Sequence, residues 1–146
     1  MSARAKAVAA AHGLVGTRYR LHGRDPQFGL DCVGLAGIAL RAAGCKDEIP
    51  LGYALRGGVS DAILLLIDRS SLVRTDRPMP GDLLLFAVGP VQFHIAIKSA
   101  TGIYHADAML RRVVERIGAL PWPLIAAWAL IDDGPVGDPA CSLGER

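Results

Sequence analysis

The run Leu30-Asp31-Cys32-Val33-Gly34-Leu35 constrains this chain more than any other segment. It sets a cysteine in the first turn of a helix, directly after an acidic capping residue. The helix it opens, to about Arg41, is apolar almost all the way round, with Val33, Leu35, Ala36, Ile38, Ala39 and Leu40. Such a helix belongs in the middle of a domain, because a surface helix keeps a polar face. Gly34 and Gly37 leave room for a close neighbour, and Gly44 supplies a left-handed end. Cys32 therefore lies where unpaired backbone N–H groups and the positive end of the helix dipole favour a thiolate. Two histidines, His94 and His105, follow on segments that read as strands. The combination points to a cysteine nucleophile activated by histidine.

A chain of 146 residues is one domain with a core of its own, and 51% hydrophobic residues send much of it inside. The expected domain covers residues 1–133, with 134–146 as a loose tail rich in Gly, Pro and Asp. The net charge of +2 arises from 16 basic and 14 acidic residues scattered along the sequence, so no nucleic-acid groove is expected. Cys32, Cys45 and Cys141 form no disulfide framework or metal spacing, which reads as a reduced chain with one functional thiol. The N-terminal segment, with Arg4, Lys6 and then an alanine-rich run, faintly mimics a signal peptide. His12 and Gly13 interrupt it, so it reads as an amphipathic first helix. The apolar runs at 62–67 and 124–131 fall short of the roughly 20 residues of a membrane span, and none is expected.

Along the chain, Ser2 caps a helix from Ala3 to about Ala11, and 17–29 is loop-like. After the cysteine helix, 46–58 is irregular, and Ser60 caps a helix over 61–69. From residue 80 the period changes. Pro80-Gly81-Asp82 turns into a strand at 83–88; 93–98 and 102–106 form a hairpin; 111–117 and 125–131 complete a set of strands. Helices first and strands second give an α+β fold, with helices packed on an antiparallel sheet.

A hairpin turning about Ser99-Ala100 sets the two histidines directly opposite, and one turning about Ala100-Thr101 leaves them diagonal on one face. Either way His105 can hold the far nitrogen of His94, as a histidine acting as a base requires. Taken singly, a buried cysteine is a small hydrophobe and a strand histidine a half-buried polar residue. Zinc on Cys32, His94 and His105 lacks a close ligand pair on the cysteine side, so no metal and no organic cofactor is expected. His12 and His22 read as surface residues.

Four blocks carry a resemblance: Gly16-Thr17-Arg18-Tyr19, Asp31-Cys32-Val33-Gly34-Leu35, Pro80-Gly81-Asp82-Leu83, and Phe93-His94-Ile95-Ala96-Ile97 with Ile103-Tyr104-His105-Ala106. In order and spacing they resemble the NlpC-type cysteine peptidases, papain-like enzymes that cleave bacterial cell-wall peptides. The resemblance implies a papain-like fold, with the nucleophile helix on a C-terminal antiparallel sheet. It implies Cys32 as nucleophile, His94 as general base and acid, and His105 as the residue orienting His94. Tyr19 falls where the family places a hydroxyl beside the substrate or oxyanion, and Asp31 where a substrate amine is met. The reaction implied is hydrolysis of an amide in a peptidoglycan stem peptide through a thioacyl-enzyme. Val33 and Arg18 depart from the family's serine and proline. An Arg-Thr-Ser-x-x-Gln segment is replaced by Ile49-Pro50-Leu51-Gly52-Tyr53, so the departures fall on substrate-contacting positions.

The compact length, and Arg112-Val113-Val114-Glu115 followed by Trp122 and Trp128, resemble the subgroup encoded with bacteriophage tails and gene-transfer agents. That implies synthesis in the cytoplasm without a signal peptide, phage-like tail proteins as partners, and action at the cell wall or periplasm. Two other functions fit the same residues: a non-catalytic component of a phage-like tail, and a papain-like amidase or acyltransferase with another substrate.

Overall fold

The computed structural model describes residues 1–46, 51, 55 and 60–130. Helix α1 (Ala3–Gly13) starts where Ser2 Oγ accepts the Ala5 N–H at 3.1 Å. Its buried residues Ala3, Ala7 and Ala11 recur every four, a face of small side chains that lets α1 lie close against its neighbour. Two short strands follow, β1 (Arg24–Asp25) and β2 (Gly29–Leu30), and then the cysteine helix α2 (Cys32–Ala42). Helix α2 buries Gly34, Leu35, Ala36, Ala39 and Leu40, and a Cβ at Gly34 would run into the Gly23 carbonyl. Gly44 adopts the left-handed conformation expected of it, at φ 99°. Helix α3 (Ser60–Asp68) precedes the sheet.

The sheet holds six antiparallel strands in the order β3-β8-β4-β5-β6-β7. They are β3 (Val73–Thr75), β4 (Leu83–Gly89), β5 (Gln92–Lys98), β6 (Gly102–Asp107), β7 (Arg112–Ile117) and β8 (Leu124–Ala129). The α+β order predicted from the sequence is the one observed. Ile95, Ile97, Tyr104 and Ala106 belong to the main core with Leu35 and Ala39 of α2, while Leu84, Phe86, Ala96, Ile103 and Ala127 make a smaller core on the opposite face. Asp82, fully buried, accepts from Arg4 Nε at 2.8 Å and from the Met79 N–H at 2.8 Å, and so ties α1 to the turn that opens β4.

Strands β7 and β8 are separated in the sheet by β4, β5 and β6, about 19 Å across. The link 118–123 must cover that distance with a reach of only about 23 Å. It is pinned at both ends: the Gly118 N–H donates to the Thr101 carbonyl and the Ala87 N–H to the Pro123 carbonyl. In crossing, it lays Trp122 over Phe86 of β4, His94 of β5 and His105 of β6.

Between β5 and β6 the ladder pairs Ile97 with Tyr104 and Lys98 with Ile103, the turn about Ala100-Thr101 that leaves the histidines diagonal. Beyond those pairs, towards His94, the two strands part. The sequence reading gave β1 and β2 to loop and has no counterpart to β3. All three are too short to show a period, and in β3 Val73 and Arg74 are exposed while Thr75 is half-buried. Most of the irregular stretch 46–58, the tail with Cys141, and the end of the predicted strand at 131 lie outside the described residues. No helix among the described residues is long and apolar enough to cross a membrane.

Candidate active site

The loop before α2 is built around Asp31. Its Oδ1 accepts the Gly34 N–H at 2.9 Å, the expected helix cap, and Arg24 Nη1 at 2.7 Å; its Oδ2 accepts the His22 N–H at 2.9 Å. The carboxylate is buried, and Arg24 is the cation already upon it. Tyr19 is half-buried and bridges Leu30 in parallel, two residues before Cys32, with its N–H donating to the Arg111 carbonyl at 2.9 Å. Residue 19 therefore flanks the entry to the cysteine helix, and packs against the same core as Cys32.

The thiol of Cys32 accepts from the backbone N–H groups of Ile95 and Val33. Ile95 is one residue past His94, in the stretch of β5 where β6 has moved away. The N-terminus of α2 thus meets the sheet at the opening between the two strands, and the sulfur takes a donor that a continuous ladder would have used. On the other face, His94 Nε2 lies 3.1 Å from His105 Nδ1, with the rings edge to face at 5.2 Å. Trp122 closes over both, at 5.3 Å from His94 and 5.5 Å from His105, and the Arg116 guanidinium lies 5.6 Å from its ring. With Nε2 engaged by His105, Nδ1 is the nitrogen of His94 left without that partner. No hydrogen bond joins Cys32 to His94 among the described residues.

The protonation states differ from the sequence expectation. Burial pushes the Cys32 thiol up to about 11, aided by the Asp31 carboxylate. The Ile95 and Val33 N–H groups and Arg24 pull it down without prevailing. The helix terminus is where it was expected, but desolvation outweighs it. His94 moves the other way, down to about 4, because it is buried and because His105 stands beside it. His105 is also lowered, chiefly by burial. At neutral pH the site therefore rests as a thiol and uncharged imidazoles, not as a thiolate–imidazolium pair.

No family model matches the sequence, and no curated protein does. Solved structures do. The NlpC/p60 domain of the peptidoglycan hydrolase SagA aligns at 25% identity with a TM-score of 0.59, over 87% of this chain and 98% of that one. The fold is that of an NlpC/p60 domain. NlpC1 from Trichomonas vaginalis aligns at 19% identity with a TM-score of 0.65, over 88% of this chain and 45% of that protein. The P60 domain of the M. avium subspecies paratuberculosis antigen MAP1204 aligns at 18% and 0.55, over 87% and 93%.

Of the residues singled out from sequence, the structure brings His94 and His105 into contact. It sets Cys32 on the adjoining Ile95 N–H, and places Asp31 and Tyr19 at the mouth of the cysteine helix. Cys45 is buried, while His12 and His22 are exposed as expected. Trp122 and Arg24 belong to the site and were not placed there by sequence reasoning. In the sequence Trp122 enters only through the subgroup resemblance. The Pro-Trp-Pro run at 121–123, too stiff for a strand interior, is the one signal that marked it as a crossing segment. Among the described residues, no three His, Cys, Asp or Glu side chains are grouped to hold a metal ion.

Proposed function

We propose that this chain is a cysteine peptidase that hydrolyses an amide bond in peptidoglycan stem peptides. The observation that carries the reading is Cys32 at the capped start of α2, its sulfur on the N–H next to His94, with His94 backed by His105 at 3.1 Å. The NlpC/p60 fold, shared with a domain of a peptidoglycan hydrolase, supports the substrate class.

In this reading Cys32 Sγ attacks the amide carbonyl while His94 Nδ1 takes the thiol proton, so charge separates only as the new C–S bond forms. Backbone N–H groups at the start of α2, with Tyr19 beside them, receive the developing oxyanion. His94 returns the proton to the leaving amine, which departs and leaves a thioester. A water then attacks that carbonyl, giving its proton to His94, and the acid product leaves as Cys32 regains its proton. Asp31, already bound by Arg24, serves first as the helix cap; a substrate amine would have to share or displace that guanidinium. The segment at 112–115 with Trp122 and Trp128 supports a phage-tail or gene-transfer-agent setting, in which a particle brings the enzyme to the cell wall.

The test is mass spectrometry of peptidoglycan fragments incubated with the protein, beside a Cys32→Ala control. New peptide termini that are absent from the control identify the bond cleaved. Unchanged fragments, from a folded protein, refute the hydrolase reading.

A further inference from the structure

Asp107 ends β6 two residues after His105, on the same face of the strand. Its Oδ1 accepts the Met109 N–H at 2.8 Å and the Leu110 N–H at 3.0 Å, which fixes the carboxylate at the turn into β7. That leaves Oδ2, which lies 3.9 Å from His105 Nε2. This ring nitrogen is buried and has no hydrogen-bond partner among the described residues, in a residue only 2% exposed. The other ring nitrogen of His105 is the one against His94. A buried N–H without an acceptor is costly, and the nearest acceptor is the Asp107 carboxylate, a small side-chain rotation away.

We propose that Asp107 is a positioning residue for the histidine pair: its carboxylate holds His105 as the Nε2–H tautomer. His105 Nδ1 must then accept from His94 Nε2–H, and the lone pair of His94 is left on Nδ1, the nitrogen that the proposed mechanism uses as base. The order of groups becomes Asp107, His105, His94, Cys32. The assignment rests on the cysteine-peptidase reading for its catalytic consequence, but not for the tautomer itself. The groups that face His105 are Asp107 on its own strand, His94 on β5, Arg116 on β7 and Trp122 on the link 118–123. Of these only Asp107 is an anion. Its effect on His105 opposes that of burial and of Arg116, in the direction of holding a proton on the ring.

The turn needs Oδ1 alone, so Asp107→Asn separates the two roles. Its amide oxygen keeps the turn while its NH2 faces His105 Nε2. A donor there favours the opposite tautomer, Nδ1–H, which turns a proton towards His94 Nε2 and forces its proton onto Nδ1, the nitrogen the cysteine needs. The experiment is nitrogen-15 NMR of the imidazoles in histidine-labelled full chain at neutral pH, for wild type, Asp107→Asn and Asp107→Ala, with steady-state kinetics alongside. The expected result is Nε2–H on both His94 and His105 in the wild type. In Asp107→Asn both rings move towards Nδ1–H, and kcat falls about tenfold or more with little change in KM. Unchanged tautomers in both variants, or altered tautomers with wild-type kcat, would overturn the proposal. A tautomer change in a protein whose wild type cleaves no peptidoglycan peptide would uphold the positioning and refute the hydrolase reading instead.

Discussion

The raised pKa of Cys32 has a measurable consequence for its reactivity. At about 11 against an ordinary 9.0, burial leaves the sulfur protonated. At pH 7 about one such thiol in 10,000 is ionised, compared with about one in 100 for an ordinary one. The basic thiolate is the better nucleophile. With a Brønsted coefficient of about 0.4–0.5, two pKa units recover roughly eightfold. Alkylation by iodoacetamide at pH 7 should thus run about tenfold slower than for N-acetylcysteine in the same tube. The rate should climb nearly tenfold per pH unit to about pH 10, while N-acetylcysteine levels off from about pH 9. The slope is the decisive quantity, because steric hindrance at a half-buried cysteine slows every pH alike. Peptide mass spectrometry reads the rate at Cys32, and Cys45, buried at 1% exposure, stays unlabelled unless the protein unfolds. A Cys32 rate that is already level at pH 6–7, or exceeds that of the free thiol there, would mean a standing thiolate–imidazolium pair. Desolvation would then not be the controlling force.

Three further outcomes are expected. His94 is held at about 4 against an ordinary 6.5, so between those values the unfolded chain binds a proton that the folded one refuses. Stability therefore rises with pH through that window and is fully present above 6.5. His94→Gln should remove a pH-dependent loss of at most about 3 kcal/mol between pH 7 and pH 4, read as urea midpoints, and an equally steep curve in the variant would refute it. Asp82→Asn should lower stability by about 2–4 kcal/mol, since Arg4 and the turn N–H groups lose a buried anion, while Cys32 alkylation of the folded protein stays unchanged; a midpoint within error of wild type would remove Asp82 as the tie between α1 and β4. Trp122→Ala should admit water to both histidines and move the acid limb of kcat/KM upward by roughly one pH unit. An unmoved limb would mean that the link 118–123 does not shelter His94.

The parts of the site that could be read from sequence are those with local causes. Asp31 before an apolar run announces a capped helix, and the spacing of Ser99, Ala100 and Thr101 restricts the hairpin to two registers that both serve the histidines. The choice between them depends on the Ser99 N–H to Gly102 carbonyl bond at 2.9 Å, a detail of the closed loop. What escaped the sequence depends on strand order. Nothing in residues 118–123 says that β8 returns to the far side of β4, and only that return drags Trp122 across three strands. Strand β3 escaped because three half-exposed residues have no period. The thiol's acidity escaped for a different reason. A helix terminus is a local feature, but desolvation comes from burial in the assembled core, which joins α2 to strands more than sixty residues away in the chain.

These forces bear on how the site can work. Asp31 starts the helix that carries Cys32, yet its negative charge also makes the thiol harder to ionise. Arg24 offsets that charge and in doing so closes the loop from β1 back onto the helix cap. The Ile95 N–H compensates the sulfur and at the same time satisfies a strand whose neighbour has moved away. The contacts that place Cys32 also hold it half-buried against the core, where burial outweighs the donors around the sulfur and keeps it protonated at rest. His94, half-buried against Trp122, is likewise held uncharged at neutral pH. A neutral pair of this kind reacts only when an electrophile arrives and the proton moves with the attack. In the proposed acyl transfer, His94 would therefore activate Cys32 as a general base during the attack and not by storing a thiolate beforehand.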